Sequence, residues 1–238
     1  MLFRSEPWLA NYLTNAVWAE WFTNARPSTA DGWLYINTNT SPNYSQSLTN
    51  ITPGTFYMHN PLPTNSVGDT QWHGILRAIP TTNQSWTAIM GVIARAENSN
   101  GNSWPGLTVA EDTNTNLRNI MIQSPTPNVN SFRQVVWSTP SSSVAAGANS
   151  VEDSSTTGFL LAGAPHLLRI DYDGSMTSRY YVASWLSKAQ PTFQQYGMRT
   201  NQTVKPKYVG TGYCINNGVN PSILVRFIFL VQPALPRE

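Results

Sequence analysis

The stretch HLLRIDYDGSMTSRYYVASWL, His166 to Leu186, decides how this chain is read. Apolar and polar residues alternate on both sides of Asp173 and Gly174. An Asp-Gly pair between two alternating runs signals a β-hairpin, because glycine supplies the positive φ that a tight turn requires. Asp171 and Asp173 would also share one face of the strand, and with a further oxygen ligand they could hold a hard cation. The loop EDTNTN, with Glu111, Asp112, Asn114 and Asn116, poses the same choice between a turn and calcium ligands. Neither stretch has the full spacing of a calcium-binding loop, and turn residues of this kind recur throughout the chain. The turn reading is preferred for both, and no metal and no cofactor is expected.

Outward from the hairpin, the chain reads as short strands separated by turn clusters. Strand-like runs are GWLYINT from Gly32, TFYMHN from Thr55, QWHGILRAI from Gln71, SWTAIMGVIARA from Ser85, GLTVAED from Gly106 and LRNIMIQ from Leu117. FRQVVWS from Phe132, GFLLAG from Gly158, KYVGTGYCI from Lys207 and SILVRFIFLVQ from Ser222 complete the set. Such spacing of β-rich runs and Gly, Pro, Asn and Ser turns predicts a sandwich or barrel. The serine-, alanine- and glycine-rich segment SSSVAAGANSVEDSSTT is read as a long loop. Only the N-terminus suggests a helix: from Pro7 to Phe22, Trp8, Tyr12, Leu13, Val17 and Trp21 recur at helical spacing, with Ser5 as N-cap. Residues 1–24 are expected to form an amphipathic arm or helix, and 25–238 a single β-sandwich.

Composition narrows the partners. Asn, Thr and Ser number 23, 25 and 23 of 238 residues, while charged residues make up only 11%, so the surface is built from amides and hydroxyls. A formal charge of +2 without a basic block leaves no footprint for nucleic acid. The first residues lack the pattern of an export signal, and no apolar run is long enough to span a bilayer, so no membrane association is expected. The single cysteine, Cys214, forms no intramolecular disulfide and reads as a small buried hydrophobe.

The segment from Ser85 to Ile122, the hairpin strands HLLRIDYDGSMTSRYYVASW, and KPKYVGTGYCINNGVNPSILVRFIFLV together resemble the core of concanavalin-like, laminin-G-like jelly rolls. The likeness rests on a Gly-x-x-x-Arg strand ending, a following Gly-Leu strand, the hairpin-opening LRIDYDG and the YVGTG strand. It covers roughly residues 71–232 and implies an all-β sandwich of two antiparallel sheets.

Catalysis finds little support. Glycoside hydrolysis requires two carboxylates facing across a cleft. Some families with this fold place two glutamates close together on one strand, but Glu6, Glu20, Glu97, Glu111, Glu152 and Glu238 are not so spaced. His59, His73 and His166 accompany no nucleophile-elbow sequence. No catalytic residue is assigned, and the chain is expected not to be an enzyme.

Aromatic residues offer the remaining candidates. Trp104, in the loop NSNGNSWPGL, could stack on a sugar with Asn98, Asn100 and Asn102 supplying hydrogen bonds, or fold back onto the sandwich; Trp33 is a second candidate for such a site. Trp8, Tyr12, Trp18, Trp21 and Phe22 are expected to dock the arm on a neighbouring subunit, a homotrimer in the first instance. A neutral, amide-rich jelly roll with such an arm is similar to virion proteins of tailed bacteriophages, which are made in the host cytoplasm. The expected function is a structural virion component, in head decoration, head fibre or tail, contacting other virion proteins. The alternative is a lectin-like module that binds host glycan.

Overall fold

The computed structural model describes residues 7–22, 27–36, 56–59, 72–96, 106–111, 119–123, 131–137, 148–156, 165–185, 189–200, 205–214 and 221–236. They form two antiparallel sheets and one short α-helix. Sheet A runs β1 (Ala16–Trp21), β14 (Pro221–Val231), β5 (Trp86–Ala96), β10 (Pro165–Tyr172), β11 (Ser178–Ser184) and β12 (Gln194–Arg199), with β3 (Phe56–His59) also paired to β14. Sheet B runs β2 (Trp33–Ile36), β4 (Trp72–Ala78), β13 (Tyr208–Cys214), β6 (Gly106–Ala110), β7 (Asn119–Gln123), β8 (Ser131–Trp137) and β9 (Ala148–Thr156). The expected all-β sandwich with a short N-terminal helix is present.

Two cores hold it together. Between the sheets, Trp86, Leu168, Ile170, Tyr180, Val182, Val225, Ile228 and Leu230 of sheet A meet Trp33, Ile75, Leu107, Val109 and Val209 of sheet B. A second cluster lies on the other face of sheet A, where Ile89, Leu167, Phe227, Phe229 and Val231 pack with Trp8, Leu9, Tyr12, Trp185 and Phe193. Strand β14 contributes to both cores, so its run of Ile, Leu, Val and Phe is that of a strand buried on two faces. A register shift at Arg226 lets Val225 face one core while Phe227 faces the other.

The helix is shorter than its periodicity predicts. Helix α1 spans Pro7–Leu13 and ends where Thr14 Oγ1 and the Thr14 N–H both donate to the Ala10 carbonyl, at 2.9 and 3.2 Å. The chain then enters β1, which pairs with β14 from Ala16 opposite Val231 to Trp21 opposite Phe227. Residues 16–21 are therefore part of the sandwich, which corrects the expected boundary at residue 24. Trp8, Tyr12, Trp18 and Phe22 are each at most 8% exposed within their own chain and Trp21 is half-buried, so they are not a free docking surface.

Two further strands depart from the sequence reading. The segment read as a long loop contains β9, paired with β8, and β12 continues sheet A beyond the hairpin. Ser5 and the run GFLLAG lie outside the described residues.

The register of sheet B depends on Gly210, which faces Leu76 across the β13–β4 pair. A Cβ there would lie 1.8 Å from the Ile75 carbonyl oxygen, a backbone atom held by its own strand. Gly210→Ala is expected to lower unfolding free energy by about 3 kcal/mol, the upper end of overpacking costs. Urea denaturation checks this; a loss under about 0.5 kcal/mol, ordinary for a surface change, would contradict the close approach.

Candidate functional site

The β10–β11 hairpin answers the question its carboxylates raise. Strand β10 has both faces buried, and alternation turns Leu168, Ile170 and Tyr172 to the inter-sheet core and Arg169 and Asp171 to the other side. Arg169 Nε and Nη2 donate to Asp171 Oδ1 and Oδ2 at 2.8 and 2.9 Å, a bidentate pair between side chains 1% and 9% exposed. Thr87 Oγ1 donates to Asp171 Oδ1 at 2.7 Å and accepts from the Leu235 N–H at 3.0 Å. Arg169 Nη2 also reaches the Pro236 carbonyl at 3.3 Å, and its guanidinium lies over Tyr181 and Phe193 at 5.1 and 5.3 Å. The pair clamps the C-terminal segment onto sheet A, and Asp171 is held as a structural carboxylate.

Asp173 has a different task. Its Oδ1 accepts from the N–H groups of Ser175, Met176 and Thr177 at 2.8, 3.0 and 3.0 Å and from Ser175 Oγ at 2.9 Å. The Asp173 N–H donates back to the Thr177 carbonyl at 3.0 Å. Gly174 takes φ +86°, and a Cβ on it would collide with the backbone of Gln84 and Ser85. Burial raises the Asp173 pKa, but the hydrogen bonds from Thr177 and Ser175 outweigh it and hold the carboxyl well below the usual carboxylate range. Asp171 and Asp173 thus occupy separate hydrogen-bond networks. Among the described residues no three His, Cys, Asp or Glu side chains gather as a metal site.

Trp33, the second candidate for a sugar site, lies in the core. It is 0% exposed, and its Nε1 donates to Glu20 Oε2 at 2.9 Å. Trp33 is the first residue of β2, within the run read as a strand, and what the sequence did not report is that its ring turns to the inter-sheet core. Trp104, Asn98, Asn100 and Asn102 lie outside the described residues, as do Asp112, Asn114 and Asn116. On the outer face of sheet B, Leu76, Thr108 and Ala110 are each 0% exposed, so this part of the face is closed to a ligand.

A groove of about 230 Å³ remains at the β11–β12 edge of sheet A, lined by Val182, Ala183, Ser184, Thr192 and Gln194. Ala183 supplies an apolar patch, and two hydroxyls and one amide supply neutral donors and acceptors. These five described residues carry no ionisable side chain, so they suit a polar, uncharged ligand. Sequence reading missed it because the segment 189–193, which brings in Thr192, follows no strand pattern.

No protein-family model matches the chain, and no curated protein matches it by sequence. Solved structures do share its fold. A GH43 protein of Bacillus licheniformis aligns with a TM-score of 0.57 at 11% identity, over 90% of this chain and 39% of its own. The CBM2 module of the evolved Dit of Lactobacillus casei BL23 phage J-1 aligns with a TM-score of 0.54 at 10% identity, over 91% and 94%. Lectin II from Ulex europaeus aligns with a TM-score of 0.51 at 11% identity, over 91% and 98%. The chain spans about two fifths of the length of the GH43 proteins it resembles. The fold is a jelly-roll β-sandwich of the kind seen in lectins.

Two outcomes follow from the hairpin. Asp171→Asn is expected to cost about 3 kcal/mol, because it leaves Arg169 charged and buried, while the double variant Arg169→Met with Asp171→Asn recovers part of that loss; chemical denaturation of both variants checks this. For Asp173 the folded pKa lies below the unfolded value, so its stabilisation is present above about pH 4, the unfolded carboxylate pKa, and fades as pH falls towards the folded pKa. The stability gap between the wild type and Asp173→Ala should therefore narrow on acidification below about pH 4, as thermal melts across pH would record.

Proposed function

We propose that this protein is a non-enzymatic, carbohydrate-binding β-sandwich carried on a bacteriophage particle. The observation that carries this reading is the likeness of nearly the whole chain to nearly the whole of a phage carbohydrate-binding module and of a plant lectin. The likeness to GH43 glycoside hydrolases reaches only about two fifths of their length, which gives weaker support to hydrolysis. The hairpin adds to this, since Asp171 and Asp173, the carboxylates that first suggested chemistry, are both engaged in structural hydrogen bonds. The groove between β11 and β12 suits a neutral sugar: the apolar patch at Ala183 takes a ring face, and Ser184, Thr192 and Gln194 exchange hydrogen bonds with hydroxyls.

The phage half of the proposal is favoured by a single comparison and by a composition rich in Asn, Ser and Thr with little charge. Attachment to other virion proteins follows from that half, and contact with host glycan from the other.

Probing a glycan array with the full chain, alongside an assay for reducing ends, tests the activity. Binding without release of reducing ends is expected, and Thr192→Trp, which fills the groove, should abolish binding to neutral glycans. Release of reducing ends from a bound polysaccharide would overturn the non-enzymatic reading. Immunogold labelling of phage particles tests the location, with labelled particles as the expected result.

A further inference from the structure

The opposite edge of the sandwich carries a cation with an unusual setting. Arg77 on β4 stands in register with Trp33 on β2. Its guanidinium carbon lies 5.1 Å from the ring centre of Trp18 and 6.0 Å from that of Trp33. The two indoles meet edge to face at 5.7 Å, and Trp18 Nε1 is fixed to the Ala78 carbonyl at 3.0 Å. This half-buried guanidinium is therefore held by ring faces, and no described residue accepts a hydrogen bond from it or pairs with it as an ion. Its five N–H donors form a planar fork with a fixed orientation.

Among the described residues there is room beside the fork. Gly32, at φ +84°, borders it, and a Cβ built on Gly32 would find, of the described residues, only Arg77 Nε within 4 Å, at 3.9 Å. Glu20 is anchored on the same indole, with Oε2 accepting from Trp33 Nε1. Trp33 thus carries a donor fork over its face and a carboxylate at its edge.

We propose that Arg77, seated on Trp18 and Trp33 beside Gly32, binds the carboxylate of an acidic sugar, with Glu20 accepting from a neighbouring hydroxyl of the same residue. This rests on the carbohydrate-binding reading and adds a second site to the neutral groove. A carboxylate matches the guanidinium fork with two parallel hydrogen bonds. An anion lacking hydroxyls would meet Glu20 only as a like charge, whereas a uronate-type sugar answers both groups.

Titration of the full chain with glucuronate, glucose and acetate, followed by tryptophan fluorescence, tests the site, because two indoles adjoin it. A saturable change with glucuronate, about tenfold tighter than with acetate, is expected. Arg77→Lys keeps the charge but loses the fork and should weaken glucuronate about tenfold. Gly32→Asn, a residue that tolerates positive φ and fills the space, should remove the response while circular dichroism stays unchanged. Acetate as tight as glucuronate, or a glucuronate response unaltered in both variants, would overturn the proposal. Binding of neutral glycans on the array with no glucuronate response would overturn this site alone and leave the wider reading intact.

Discussion

Sheet A is apolar on both faces, and much of the structure follows from covering the second one. Phe227 and Phe229 on β14, Ile89 on β5 and Leu167 on β10 project away from sheet B and would face water in a bare two-layer sandwich. Helix α1 covers them with Trp8, Leu9 and Tyr12, and Trp185, Phe193 and Leu235 close the remainder. The rings interlock edge to face or tilted, as in Trp8 against Trp185 at 6.4 Å and Trp185 against Phe227 at 5.3 Å. Helix α1 and the segment around Leu235 are thus bound to the domain by the hydrophobic effect. The buried Arg169–Asp171 pair adds direction to that cover: through Thr87 and the Pro236 carbonyl it fixes the C-terminal segment in one position.

The same double-sided burial explains what the sequence revealed and what it hid. Strands with one buried face alternate clearly, and the hairpin around Asp173 and Gly174 was legible down to its turn. The N-terminal segment was not. In β1, Trp18 turns to the inter-sheet core and Trp21 to the outer one, and Val17 falls at a register shift. Apolar residues then occur at both parities, and Val17 and Trp21 continue the true helical stripe of Trp8 and Tyr12 by coincidence. Strand β9, with the sequence ANSVEDSST, was hidden for the opposite reason, since it carries almost no apolar residue to alternate.

Site residues were less legible than strands because the sequence reports residue type and the site depends on exposure. Trp33, a candidate for a sugar site within a strand-like run, is a core ring with its N–H bound to Glu20. Arg77 carried no signal at all, since an arginine in a strand pattern most simply points to water. Its setting arises from two tryptophans on different sheets, Trp18 and Trp33, which sequence separation conceals.

That setting belongs to a wider pattern imposed by composition. With only 12 acidic residues among 238, the cations of the sandwich cannot all be neutralised by carboxylates. Aromatic faces take over part of that role: Arg77 rests on Trp18 and Trp33, Arg169 on Tyr181 and Phe193, and Arg226 on Trp185 at 6.0 Å. An aromatic face attracts a cation without consuming its N–H donors. Arg169 directs those donors to Asp171 and the C-terminal segment and becomes a clamp. Arg77 meets no acceptor among the described residues, so the same ring-seated geometry leaves its planar fork unengaged by them. Asp171, two residues along the strand from Arg169, makes that arginine a clamp, whereas the residues two along from Arg77 are Ile75 and Ile79.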